Sequence, residues 1–277
     1  MYRLLALDID GTLLNSRDEL TLKTRQAVQA ARLSGMHVVL ATGRRYSRAL
    51  PLVEPLGLVL PLVTASGALI KHPDGHRTLH MADFDRKLLK GVLAHLQTAG
   101  HEAVLYSDSF AAGFDFHCTS EVTESAELAD FLRLNPDCAR VHPELMTDPP
   151  SGVFAGFAIG GRPAMLQLEA ELESLFLGQL YLHVIRSTRY LGYMCEIAPA
   201  GATKWAGIQH LAHELGIADH EIVAVGDEVN DIPMVVGAGL GIAMGNAVEP
   251  LKLVADRIAP SHDEDGVAEV VRWLLEE

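Results

Sequence analysis

The sequence predicts an α/β protein, a doubly wound parallel sheet interrupted by an inserted α+β domain. Three observations carry this. Short apolar runs alternate with helical patterns over roughly the first 80 residues, as parallel strands joined by helices require. From about Asp83 the strands turn alternating or aromatic, as in an antiparallel or mixed sheet with one covered face. After Ala198 the β-branched, fully apolar strands return. The expected division is a discontinuous core of residues 1–82 and 195–277 around an insert of residues 83–194.

In the first core segment the expected strands are Leu4–Ile9, His37–Ala41 and Leu60–Thr64. Between the first two lies a helix over Leu22–Leu33, with Thr21 as its cap and Gly35 as its stop. In the insert, helices are expected at Asp85–Thr98, Val122–Leu132 and Pro163–Leu177. Its strands are expected at Ala103–Tyr106, Gly113–His117, Val153–Ile159, Tyr181–Arg186 and Met194–Ile197, and the Pro- and His-rich stretch Asn135–Gly152 as loop. The last segment predicts a helix at Lys204–Leu215, a strand at Glu221–Val225 and a short helix at Pro233–Gly237. A strand at Leu240–Met244 and a helix at Val267–Glu276 complete it.

The 277 residues are enough for a full core and two domains. Hydrophobic content of 49% and charged content of 21% are those of a soluble globular protein. A net charge of -14 speaks against nucleic-acid or anionic-membrane partners. An anionic ligand would need a local positive site. Three cysteines, an odd count without CxxC spacing, suggest reduced thiols and a cytoplasmic protein. No secretory leader and no apolar run long enough to span a membrane is expected.

The chemistry begins at Asp8-Ile9-Asp10-Gly11-Thr12, directly after the apolar run Leu4-Leu5-Ala6-Leu7. Side chains two apart on a strand face the same way, so Asp8 and Asp10 are expected to share one space at the strand's carboxyl end. Carboxylates that close need a cation or a shared proton. The second strand ends in Ala41-Thr42-Gly43-Arg44, a hydroxyl and a glycine-opened backbone suited to hold phosphate or carboxylate. Lys204 opens a helix, against the helix dipole, and an anion there would remove the conflict. Gly226-Asp227-Glu228-Val229-Asn230-Asp231 adds Asp227, Glu228 and Asp231 to the carboxylates. Hard oxygen donors with few imidazoles suit magnesium. Gly241-Ile242-Ala243-Met244-Gly245-Asn246-Ala247 is expected to support the site structurally.

In this order the motifs resemble the haloacid dehalogenase superfamily of phosphatases, and most of all its Cof-type branch, whose members carry a large α/β cap. The tail, with Ala255-Asp256 and Asp263-Glu264-Asp265-Gly266-Val267, is similar to that branch too. The resemblance implies a Rossmann-like core and a magnesium-dependent phosphomonoester hydrolase acting on a small phosphorylated metabolite, a sugar phosphate or cofactor phosphate. It implies that Asp8 is the nucleophile and Asp10 the acid and then base. Thr42, Gly43, Arg44 and Lys204 would hold phosphate or substrate. Asp8, Asp227 and the main-chain carbonyl of Asp10 would bind magnesium, with Asn230 and Asp231 in support. A phosphomutase and a silent phosphometabolite sensor are the alternatives, and either a monomer or a homodimer fits.

Two positions depart from the family pattern. Trp205 follows the lysine where glycine is usual, and Ser66-Gly67 stands where Asn-Gly is usual. Elsewhere, His210 and His213 lie three apart on a helix, but no third zinc ligand has a recognisable spacing. Arg186, Arg189, Tyr190 and Tyr193 could read a leaving group, though packing is the simpler account. Cys195 is expected to be a buried apolar residue.

Overall fold

A computed structural model describes residues 2–58, 60–186 and 189–276. The strands, in chain order, are β1 (Leu4–Leu7), β2 (His37–Leu40), β3 (Leu62–Thr64), β4 (Leu69–Lys71), β5 (Thr78–Met81), β6 (Val104–Ser107) and β7 (Phe116–Cys118). They continue with β8 (Ala139–Val141), β9 (Val153–Gly160), β10 (Leu180–Arg186), β11 (Tyr193–Pro199), β12 (Ile222–Gly226), β13 (Leu240–Ala243) and β14 (Arg257–Ile258). The helices are α1 (Leu22–Leu33), α2 (Tyr46–Ala49), α3 (Val53–Leu56), α4 (Arg86–Thr98) and α5 (Ala126–Arg133). They continue with α6 (Arg162–Leu175), α7 (Lys204–Glu214), α8 (Ile232–Gly237), α9 (Glu249–Lys252) and α10 (Gly266–Glu276).

The chain divides into two units, Met1–His80 with Thr203–Glu277, and Met81–Ala202. The first is built on a five-stranded sheet in the order β14-β13-β12-β1-β2, with every pair parallel. Both faces of β1 and β12 are buried, which is why their sequences are unbroken apolar runs. Helix α1 starts and stops as the sequence predicts: the Thr21 side chain accepts from the Thr24 N–H, and Gly35 follows at φ 95°. The expected third strand forms differently. Val63 makes a single parallel bridge to Ala41, and β3 pairs antiparallel with β4 in a separate three-stranded sheet. Strands this short carry too few residues to show a pattern in sequence.

The second unit is a six-stranded sheet, β10-β11-β9-β6-β7-β8. It is antiparallel apart from the β7–β8 pair. One apolar core contains Leu89, Val92 and Leu96 of α4 with Met165, Leu168 and Leu172 of α6. A second gathers Phe116, Leu128, Phe131 and Phe157. The division corrects the expected return to the core at residue 195, which falls in the middle of β11. That strand pairs with β10 through its whole length and with β9 from Tyr193 to Ile197, so the insert runs on to Ala202. The expected loop 135–152 contains β8, whose three residues Ala139-Arg140-Val141 lie parallel to β7. Tyr190 packs edge-on against Phe131 at 4.8 Å and its hydroxyl meets Asn135, so that aromatic residue serves packing. Cys195 is fully buried, and burial pushes its thiol up to about 12. No helix among the described residues is long and apolar enough to cross a membrane.

Candidate active site

In the five-stranded sheet β1 lies between β12 and β2, so the chain winds away from it in both directions. A crevice forms at the carboxyl end of such a strand. Asp8 stands there, one residue past β1. Its N–H donates to the Val225 carbonyl at 3.0 Å, and the residue is 3% exposed. From the neighbouring β12 come Asp227 and Asp231. Asp231 folds back under the loop, and its Oδ2 accepts the N–H groups of Asp227 and Glu228 at 2.9 and 3.0 Å. Gly226 makes room for this: a Cβ there would stand 2.4 Å from the Asp231 Cγ. Gly11, at φ 78°, is needed for the same kind of reason, since its Cβ would stand 2.1 Å from Asp227 Oδ2. Thr12 Oγ1 donates to Asp227 Oδ1 at 3.1 Å.

Lys204 is the first residue of α7, whose cap Thr203 accepts from the Ala206 N–H. Its ammonium donates to Asp8 Oδ1 and to Asp231 Oδ1, both at 2.6 Å. These two carboxylates resolve the conflict between a lysine and the positive end of its own helix. The lysine is 2% exposed. Burial opposes its charge, but Asp231 and Asp8 outweigh that and hold its pKa above the ordinary lysine value. Burial pushes Asp8 up to about 7, with Lys204 pulling the other way and Asp231 and Asp10 adding to the rise. Burial raises Asp227 well above the carboxylate range, with the charges of Asp8 and Asp231 adding to it.

Oxygens of Asp8, Asp227 and Asp231 lie within 4.8 Å of one another. Three carboxylates against one ammonium leave negative charge in a buried place. An all-oxygen donor set of this kind fits a hard dication such as magnesium. A consequence follows for stability. The Asp8 carboxyl titrates near 3.8 in the unfolded chain and near 7 in the fold. Between those values the fold keeps a proton that the unfolded chain has lost, so without metal its stability falls as pH rises through that window and then levels off. A dication binds the ionised form and reverses this loss. Magnesium is therefore expected to raise the melting temperature more at pH 8 than at pH 5. An equal shift at both, in thermal melts with magnesium or EDTA, would exclude a carboxylate site.

The other expected residues sort themselves by place. Thr42 is buried at the end of β2, where its Oγ1 accepts the Arg44 N–H at 3.0 Å, and Gly43 lies between them. Asp10 is outside the carboxylate group. Strand β1 ends at Leu7, so the strand alternation that would have paired Asp8 with Asp10 no longer applies. The Asp10 carboxylate instead meets Arg44, whose Nε and Nη2 donate to its two oxygens at 2.8 and 2.6 Å. Arg44, expected on a ligand phosphate, is engaged with carboxylates. Glu228 also stays out of the group, since its Oε1 accepts the Val229 N–H next door. Asn230 is 4% exposed, and its Nδ2 reaches Ser66 Oγ at 3.5 Å. Its Oδ1 is buried without a protein partner among the described atoms.

Ser66 lies on a left-handed turn at φ 54°, between Ala65 at 48° and Gly67 at 103°. Trp205 lies against Gly237, where a Cβ would come within 2.3 Å of the indole. The large side chain after Lys204 is thus accommodated by a glycine on α8 and leaves the lysine in place. Asn246 carries the expected support: its Nδ2 donates to the Gly11 carbonyl at 2.8 Å, and its Oδ1 accepts the His262 N–H at 2.9 Å. His210 stands 5.3 Å from the His80 ring, and neither histidine belongs to the candidate metal group.

The profile of the haloacid dehalogenase-like hydrolases matches residues 5–271. The chain belongs to that family. It is 30% identical, over 99% of its length and all of the relative's, to "Phosphatase YwpJ" of Bacillus subtilis. It is 31% identical, over 99% of its length and 96% of the relative's, to "5-amino-6-(5-phospho-D-ribitylamino)uracil phosphatase YcsE" of the same organism. Among solved structures, a haloacid dehalogenase-like hydrolase from Bacteroides thetaiotaomicron superposes with a TM-score of 0.79. That pair is 27% identical, covering 99% of this chain and 100% of the other. As a haloacid dehalogenase-like hydrolase the protein is an enzyme, with the α/β core and the separate, mainly antiparallel sheet of its family.

Proposed function

We propose that this hydrolase cleaves phosphomonoesters of small metabolites with magnesium, through an aspartyl-phosphate on Asp8. The observation that carries the reading is the buried Asp8–Lys204–Asp231 ion network beside Asp227, at the carboxyl end of β1. The named phosphatases among its relatives support small phosphorylated metabolites as the substrate class, and a sugar phosphate or a cofactor phosphate is the proposed substrate.

In the proposed first step an Asp8 carboxylate oxygen attacks phosphorus, the bond from phosphorus to the ester oxygen breaks, and Asp10, having taken up a proton from solvent on one oxygen while Arg44 keeps the other, gives that proton to the departing oxygen. In the second, water attacks phosphorus and loses a proton to Asp10. The bond to Asp8 breaks and inorganic phosphate leaves. Lys204 holds Asp8 in place and faces the charge that gathers on the phosphoryl oxygens. The Thr42 hydroxyl and the backbone around Gly43 hold the same oxygens, and Asn230 and Asp231 keep the loop and lysine in position. Asp8, Asp227 and the main-chain carbonyl of Asp10 would hold magnesium, because both Asp231 oxygens already accept hydrogen bonds. When bound, the metal supplies positive charge against the phosphoryl group.

The test is phosphate release from a panel of phosphomonoesters with magnesium or EDTA, together with hydroxylamine trapping of an acyl phosphate. Magnesium-dependent release and a trapped adduct on Asp8 are expected. Isomer formation without release would point to a mutase, and tight binding without turnover to a sensor.

A further inference from the structure

The Arg44 guanidinium is divided between two carboxylates from different turns of one loop. Nε and Nη2 donate to the two oxygens of Asp10 at 2.8 and 2.6 Å, and Nη2 is paired with Asp18 as well. Arg44 is 16% exposed on its side chain, against 49% for Asp10 and 57% for Asp18. The loop makes Asp18 a fixed point. Its backbone is left-handed, at φ 61°, a conformation that aspartate tolerates better than most residues. Its N–H donates to the Asn15 carbonyl at 2.9 Å, and the Asn15 side chain accepts the N–H groups of Arg17 and Glu19 at 3.0 Å. Ser16 is tied to Asp263, whose Oδ1 accepts its N–H at 2.9 Å.

An arginine bound to Asp10 alone would carry that half-exposed carboxylate wherever its long side chain swung. A second anchor fixes the plane of its fork. We propose that Asp18 is a positioning residue, which holds Arg44 and through it sets the direction of the Asp10 carboxylate. The proposal rests on the reading of Asp10 as the group that protonates the leaving oxygen. Such a group acts only within hydrogen-bond reach of that oxygen, so a slack Arg44 matters most where the leaving group needs its proton.

Two variants test this. Asp18→Asn keeps the shape and the left-handed backbone but removes the charge. Asp18→Gly adopts the same φ freely and removes the anchor. With phenyl phosphate, a poor leaving group, kcat is expected to fall about 10-fold in both, a fraction of what general acid catalysis contributes. With p-nitrophenyl phosphate, whose leaving group needs little protonation, kcat and the melting temperature should hardly move. Equal losses on both substrates, or none on either, would overturn the proposal. Hydrogen exchange at the Arg44 Nε–H, followed by NMR, gives a readout free of turnover: faster exchange in Asp18→Asn is expected, and an unchanged rate also overturns it. If wild type and Asp8→Asn release phosphate equally, the reading of Asp8 and Asp10 as the reacting pair fails, while the exchange measurement still decides what Asp18 does for Arg44.

Discussion

Asp8→Asn is expected to abolish phosphate release, by at least ~10⁴-fold in kcat, while leaving the fold intact. The amide has the same shape and can keep the contact with Lys204, but it offers no anionic oxygen to attack phosphorus. Its effect on stability should run opposite to its effect on activity. Asp8 is 3% exposed and burial raises its pKa to about 7, so its ionised form weakens the metal-free fold. At pH 8 without metal the variant should melt at the same temperature as wild type or higher. Magnesium should then stabilise it less than wild type, because one charged oxygen donor is gone. Thermal melts with and without magnesium, beside phosphate release, check all three statements. Turnover near the wild-type rate would rule out the covalent route through this residue.

Lys204→Met should damage both stability and rate. The ammonium is the cation between Asp8 and Asp231, and at 2% exposure water cannot replace it. Removing one partner of a buried ion network leaves the others uncompensated, at a cost of about 3–5 kcal/mol. The sign with pH follows from the carboxylates. Lys204 lowers the Asp8 pKa, so without it the buried Asp8 charge is harder to keep, and the penalty shrinks as the pH falls and that carboxyl takes up its proton. Denaturant titrations at the two pH values should therefore show a larger loss at pH 8. Activity should fall at least ~10²-fold, the scale of losing one charge-stabilising group. A variant as stable as wild type at pH 8 would mean that the network contributes little to folding.

How far the sequence revealed this site depends on the reach of each signal. Helix α1 was readable to its ends, because Thr21 and Gly35 act within one turn of it. Asp8, Lys204, Asp227 and Asp231 were readable because each follows or opens an element with a strong apolar pattern, and their order is a family order. Glu228 misled as a fourth acidic partner: in a run of acidic residues nothing shows which side chain will cap its neighbour's N–H. The pairing of Arg44 with Asp10 and Asp18 could not be read at all. Those residues lie 34 and 26 positions from the arginine, and only the loop's backbone path brings them together. The polar run Asn15-Ser16-Arg17-Asp18 carries nothing in sequence that shows what its turn grips. The expected end of the insert at residue 194 falls short, although Met194–Ile197 reads as one of its strands, because the full reach of β11 is decided by its pairing with β9 and β10 across distant segments.

The bonds that tie the catalytic loop to the other end of the chain also set a timetable for biosynthesis. Gly11 is braced by Asn246, Ser16 by Asp263, and β1 takes β12 as its second neighbour. On the ribosome Asp8 is made among the first residues, while its loop's braces, its lysine partner and its neighbouring strand emerge some two hundred residues later, a delay of about 10–40 seconds at ordinary rates of synthesis. Until then β1 lacks the strand that covers its second edge in the finished fold, and an uncovered apolar edge is the kind of surface that chaperones protect. Assembly of the buried carboxylate–lysine group thus waits on translation past residue 231, and a chain stalled within the insert carries Asp8 without Lys204 or Asp231.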